Sequence, residues 1–333
     1  MTSVRGSSIS RHHISRTLRA LSPVLGMIFV LALFKLLAPD AGISLLDLRT
    51  IAVQTVIVAL AACGVALVIV AGGLDLSIGS SVALSGVVAA LIARDASPTA
   101  APWLAILAAI TTGALCGLYN GALITLFRIP PFIATLGTLG FFRGVAKWIS
   151  GSSPVRGESG WLSDWVRPVP PESWSWLPVA PIVFIMLALA AMSAFFLSRT
   201  VPGRQLTAIG DNTEAARRAG IPITRLTILS YILCGAFLGA AAAVQFARLG
   251  GSGDPSIAIG LELKAIAAVV IGGASLSGGV VSIWGAVAGA ALMALLDNRC
   301  TAAGWPNFVQ DIVVGHIIII AVAVDRWRTR SAR

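Results

Sequence analysis

Ten apolar runs leave this chain little surface with which to face water. They lie at about 22–39, 51–72, 76–93, 103–127, 130–149, 178–198, 226–247, 262–276, 279–297 and 309–325. Most reach the roughly 17–25 residues that a helix needs to cross a bilayer. Only 11% of the 333 residues are charged and 57% are hydrophobic, against about 25% charged in an ordinary soluble domain. The mean hydropathy of +0.90 agrees. A soluble core of this size needs a polar shell that these residues cannot supply, whereas lipid solvates outward apolar side chains directly. The fold class expected is therefore all-α and polytopic, with about ten transmembrane helices. The run from Pro23 to Ala38 follows a basic stretch, but no small-x-small cleavage site follows it, so it reads as a retained first span. The eighth run is the shortest and meets the ninth through Gly272-Gly273-Ala274-Ser275-Leu276-Ser277-Gly278-Gly279. That pair is either two crossings or one broken, re-entrant segment.

Charge placement sets an expected orientation. With the N-terminus in the cytoplasm, the inner segments carry 14 arginines against four acids, and the outer segments carry six arginines against ten acids. Lys and Arg are retained on the cytoplasmic face, so both termini are expected inside. The domain reading is a cytoplasmic tail at 1–21, a transmembrane unit at 22–325 and a cytoplasmic tail at 326–333. The net charge of +10 does not indicate nucleic acid, because no basic patch is interleaved with stacking aromatics.

No motif gives the chain chemistry of its own. It has no G-x-x-x-x-G-K-[ST] phosphate loop, no H-E-x-x-H and no G-x-S-x-G. Cys63, Cys116 and Cys234 lie in apolar runs and Cys300 in a predicted loop, with no C-x-x-C, so they read as packing residues. No catalytic residue, metal site or cofactor is expected. Asp75, Glu262, Asp297 and Asp311 fall near span ends, which disfavours a proton-coupled carrier.

Two loops exceed what a connection needs. Residues 150–177 hold Trp161, Trp165, Trp174 and Trp176 among prolines. They suit an interfacial cap, or a docking surface for an external partner. Residues 199–225 contain a short helix pattern. Asp211 or Asn212 caps it, Glu214 sits in its first turn, and Arg217 and Arg218 lie late. Gly220 ends it, and Pro222 forbids continuation. A short, well-capped helix outside the membrane needs something to pack on, either lipid headgroups or a soluble partner. Polar positions within spans that could face a pathway are Gln54, Thr55, Asn120, Thr135, Thr138, Arg143 and Gln245. Arg143 and Lys147 share a helix face, either snorkelling together or flanking a polar path.

In order along the chain come GGLDLSIGS (72–80), GLYNG (117–121), PFIATLG (131–137) and Arg143-Gly144. Gly203-Arg204, AIGDN (208–212), Ala215-Ala216, Ala219-Gly220-Ile221 and ELKAIAAVVIGG (262–273) follow. With these motifs the chain resembles the ribose/xylose/arabinose/galactose-type permeases of ABC importers from about residue 50 to 325. Position 264 is commonly acidic in such permeases and is Lys264 here.

The resemblance implies a type II ABC importer-like permease in a bacterial inner membrane. A second permease chain, a separate ATPase subunit, a periplasmic sugar-binding protein and membrane lipid would be its partners. Coupling to the ATPase falls on Gly203, Arg204, Gly210, Asn212, Ala215, Ala216, Gly220 and Ile221, with Arg204, Ala216 and Gly220 expected at the contact. Gln54, Asn120, Thr135, Arg143 and Glu262 are expected along the substrate pathway. Alternatives are a permease for branched-chain amino acids, nucleosides or a signalling sugar, a proton-coupled carrier, or a non-transporting scaffold.

Overall fold

A computed structural model describes residues 43–306 and 308–316, with isolated positions 27, 28, 32, 36, 319, 320 and 323. The elements in order are α1 (Leu45–Ile69), α2 (Ile78–Arg94), α3 (Ala101–Leu126), α4 (Pro131–Ser150), β1 (Val155–Arg156) and α5 (Leu162–Trp165). After a 3₁₀ turn at Glu172–Trp174 come α6 (Pro181–Arg199), α7 (Val201–Asp211), α8 (Thr213–Arg218) and α9 (Ile223–Arg248). The last are β2 (Ser252–Gly253), α10 (Leu261–Ile271) and α11 (Ile283–Ala302). Residues 308–316 are helical too.

The protein is a multi-pass, all-α membrane protein. Four helices, α1, α3, α6 and α9, are apolar and long enough to cross a membrane by length and composition. The 17 residues of α2 and 20 each of α4 and α11 rise about 26–30 Å at 1.5 Å per residue. That approaches the hydrocarbon core of about 30 Å. The first predicted span lies largely outside the described residues, although positions 27, 28, 32 and 36 are helical. The tenth is described only in part.

The eighth span departs from a full crossing. α10 has 11 residues and rises only about 16 Å. Ahead of it, residues 253–260 run down α2 as irregular chain. A Cβ on Gly253 would strike the Gly86 carbonyl and, at 2.8 Å, Val87, while one on Gly79 would strike the Ala258 carbonyl. From Gly86 to Gly79 is a descent of about 10 Å along α2. Residues 253–271 are therefore one broken crossing whose first part is not helical. The ninth span is shifted to Ile283–Ala302, which puts Cys300 on a helix and buries it, rather than in a loop.

α1 runs through the centre of the bundle, with every residue from Thr55 to Ile69 buried. α3 and α9 meet backbone to backbone. Gly113 and Gly117 on α3 face Gly235 and Tyr231 on α9, and a Cβ on any of the three glycines would collide with a facing carbonyl. Small residues permit that approach, and close van der Waals contact holds membrane helices together. The 150–177 loop forms a cap. β1 pairs antiparallel with β2, Val155 opposite Gly253. Trp103, Trp161, Trp165 and Trp174 contact one another in series, tilted or edge-on, with ring centroids 4.8–6.2 Å apart. At the same end, Arg299, only 2% exposed, donates to Asn298 Oδ1 at 2.7 Å and pairs with Asp47 at 3.3 Å. The pair ties α11 to the first turn of α1.

Candidate functional site

At the opposite end the chain between α6 and α9 forms two helices where a single short one was expected. Thr200 accepts from the Gly203 N–H at 3.2 Å and caps α7, whose Leu206 and Ile209 are buried. Asn212 closes α7 and caps α8, its Oδ1 accepting from the Ala215 N–H at 2.9 Å. α8 ends as the sequence indicates. Gly220 takes φ +76, and the Ile221 N–H returns to the Ala216 carbonyl at 3.1 Å while the Ile221 side chain packs beside Ala216. Glu214 pairs with Arg217 and Arg218, both at 3.3 Å and well exposed. Such pairs contribute only about 0.3–0.5 kcal/mol each.

The expected coupling residues divide by environment. Arg204, Asn212, Ala215 and Gly220 are exposed, whereas Gly203 and Ala216 are buried. Ala216 therefore faces the bundle and not outward, because it is the apolar anchor of the α8 C-cap. Gly203 lies against the α6 backbone at Phe196 and Leu197. Gly210 is wedged between the Val70 carbonyl and the Gly279 nitrogen, and Gly278 lies 3.0 Å from the Gly72 nitrogen by its Cβ position. Gly279 donates to Val70 O at 2.9 Å. The two glycine-rich turns that look alike in sequence thus touch each other, and the end of α7 is seated on both.

One layer further in, a hydrogen-bonded chain holds residues 74–77. Asp75 is 1% exposed. Its Oδ1 accepts from the Ser77 N–H at 2.8 Å and from Ser77 Oγ at 2.7 Å. Asn120 Nδ2 donates to Ser77 Oγ at 2.8 Å, and Thr138 donates to Asn120 Oδ1 at 2.7 Å. Tyr231 donates to Leu74 O at 3.0 Å, and Thr135 approaches the same oxygen at 3.4 Å. Asp75 lies just ahead of α2, near a span end as expected, yet it is interior, because the turn that carries it folds inward among α3, α4 and α9. Asn120 and Thr135 belong to this network, which brings four elements together.

Gln54, Arg143 and Glu262 gather instead around the broken crossing. Arg143 points inward while Lys147 is exposed, so the two do not act as a pair. Arg143 donates to the carbonyls of Pro255 at 2.9 Å and Ile257 at 2.7 Å. Irregular backbone at membrane depth leaves carbonyls without helical partners, and a guanidinium supplies the donors. Glu262 accepts from the Gly260 N–H at 3.2 Å, at the start of α10.

Beside this segment lies a cavity of about 300 Å³ lined by Gln54, Gln245, Arg248, Lys264, Asp297, Thr301 and Gln310, and by the apolar Ile57, Val58, Val82, Ile257, Ala258, Ile259, Leu261 and Ala294. Lys264 and Asp297 are 2.6 Å apart across α10 and α11. The carboxylate of Asp297 thus supplies the partner that a lysine at position 264 requires. Gln54 and Gln245 were legible as polar residues within apolar runs. Lys264, Asp297, Thr301 and Gln310 were not, because only the packing of α10 on α11 brings them to one wall.

The family described as the branched-chain amino acid transport system / permease component matches residues 48–322. The ribose import permease protein RbsC of Escherichia coli (strain K12) is 36% identical over 310 residues, 91% of this chain and 92% of the relative. RbsC of Bacillus subtilis (strain 168) is 35% identical over 96% of each chain. The autoinducer 2 import system permease protein LsrC of Enterobacter sp. (strain 638) is 35% identical over 91% of this chain and 86% of the relative. No solved structure matches. On the span of the match and the identity to these permeases, the chain belongs to the branched-chain amino acid transport system / permease component family.

Proposed function

We propose that this chain is the translocation subunit of an ABC importer in a bacterial inner membrane. It passes a monosaccharide, or a closely related small polyhydroxylated solute, delivered by a periplasmic binding protein. A separate ATPase supplies the energy. The observation that carries this reading is α8, an exposed helix capped at both ends and seated through α7 on the turns at 70–72 and 278–279. Pushing such a helix moves the ends of α1 and α11 together, and packed helices respond by switching between discrete arrangements. The exposed Arg204, Asn212, Ala215 and Gly220 would meet the ATPase, while Gly203, Gly210, Ala216 and Ile221 would transmit its displacement.

With α8 in the cytoplasm, the segments 1–21 and 326–333 are cytoplasmic and the 150–177 cap faces the periplasm. A second permease chain would complete the pathway, and Gly137, Gly140 and Gly144 on α4 offer it a close approach, since a side chain there would meet nothing among the described residues. Relatives named for ribose and autoinducer 2 favour a polyhydroxylated cargo. So do the amides, the hydroxyl and the ion pair that share the cavity wall with Ile57, Val58, Val82, Leu261 and Ala294, since a branched aliphatic side chain would strand those polar groups.

The test is uptake into liposomes holding this chain, its cognate ATPase and its binding protein. ATP-dependent entry of D-ribose or L-arabinose is expected. Entry of leucine and of neither sugar would overturn the cargo assignment.

A further inference from the structure

The cavity beside the broken crossing lies within one chain, between α1, α9, α10 and α11, and not on the outer face of α4 where a second copy is expected. Its volume of about 300 Å³ sits at the low end of the roughly 300–1,000 Å³ usual for small-molecule pockets. That suits a single small solute and excludes an oligosaccharide.

Its chemistry is more particular. Gln54 Oε1 and Asp297 Oδ1 are buried acceptors without a hydrogen-bond donor among the described residues. The other Asp297 oxygen is taken by Lys264. Buried polar atoms are ordinarily satisfied, and leaving an acceptor without a donor is costly. Two such acceptors in one cavity wall call for an occupant that donates. Gln245 and Gln310 add groups that both donate and accept, and Arg248 adds donors. Vicinal hydroxyls match this mixture, since each can give one hydrogen bond and receive another. A dedicated cation site is disfavoured, because Arg248 lines the wall and Lys264 lies 2.6 Å from Asp297, the one carboxylate on it among the described residues.

We infer that this cavity, walled by Gln54, Gln245, Arg248, Lys264, Asp297 and Gln310 with Thr301 at its rim, is an intrachain binding site for a polyhydroxylated solute of monosaccharide size. The inference rests on the cargo proposed above and adds where one permease chain holds it. The ion pair joins α10 to α11, and both lead to the turn on which α7 sits. Occupancy and the position of the coupling helix are thereby linked through one stretch of chain.

The experiment uses the full chain in nanodiscs, with D-ribose as the probe. All four native cysteines are buried, and Thr301 is exposed at the cavity rim. Thr301→Cys is labelled with a methanethiosulfonate reagent over a range of ribose concentrations. Saturable protection of at least fivefold is expected, with the wild-type chain unlabelled. Gln54→Leu and Asp297→Asn, each placed in the Thr301→Cys background, should weaken that protection about tenfold. Thermal unfolding identifies any variant that fails to fold, and the Thr301→Cys result stands without them. Absence of protection, or protection unchanged in both folded variants, overturns the inference if the assembled importer still carries ribose. If the assembled importer carries leucine and no sugar, the cargo assignment falls and this site falls with it.

Discussion

Arg143 illustrates how a charge becomes tolerable inside a membrane. It is half-buried on α4, and its guanidinium reaches two backbone carbonyls of the 254–260 segment. No helix or strand could satisfy those carbonyls, so the arginine replaces the missing ladder. Two bonds to a charged donor are worth roughly 1.5–3 kcal/mol each. Replacing Arg143 with Met is expected to leave the protein in the membrane but cut ATP-driven uptake at least tenfold. Arg143→Lys should restore part of it, because a single ammonium reaches fewer oxygens than a planar fork. Equal uptake by wild type and Arg143→Met would show that the broken crossing does not depend on this residue.

The sequence made Arg143 visible as a charge within an apolar run. It did not reveal the target, since Pro255 and Ile257 contribute only main-chain atoms and no side-chain pattern marks them. The burial of Asp75 was hidden for a related reason. Hydropathy sees a polar residue between two apolar runs and assigns it to an interface, whereas the turn around it folds inward onto Asn120 and Tyr231.

At the scale of elements, legibility followed local chemistry. α8 was readable to its caps, because Asn212, Glu214, Arg217, Arg218 and Gly220 each act within one turn of the chain. α7 was missed as a helix, since Pro202, Gly203 and Gly210 all argue against one. Their tolerance comes from tertiary packing: Pro202 occupies the first turn, where a missing N–H costs nothing, and both glycines admit neighbouring backbone.

The α3–α9 contact shows the same dependence on close approach. A valine at Gly235 would drive its Cβ into the Gly113 carbonyl. Overpacking typically costs about 1–3 kcal/mol, and rigid backbone on both sides places this site at or above the upper end. Gly235→Val is expected to lower the unfolding temperature and membrane yield sharply. Gly140→Val on α4, where a side chain meets nothing among the described residues, should leave both unchanged. Similar melting of the two variants would contradict the packing described for α3 and α9.

For the molecule as a whole, the apolar runs foretold the membrane architecture, and the order of short motifs foretold the family. Neither could foretell that the two similar glycine turns touch, because that contact joins residues about 200 positions apart and leaves no local trace. On the proposed coupling role, this contact would join the exposed α8, the turns at 70–72 and 278–279, and the helices leading to the cavity. The central claim is that energy enters through α8 from another subunit.

The most direct test is uptake of D-ribose by liposomes holding this chain, with and without its ATPase and binding protein, for wild type and for Arg217→Glu/Arg218→Glu. Both arginines are well exposed and, among the described residues, form ion pairs with Glu214 alone, so the double variant should fold normally. The account predicts ATP-dependent uptake by the complete wild-type importer, and at least a tenfold loss in the double variant with its thermal stability unchanged. Uptake driven by a proton gradient in liposomes holding this chain alone would contradict it.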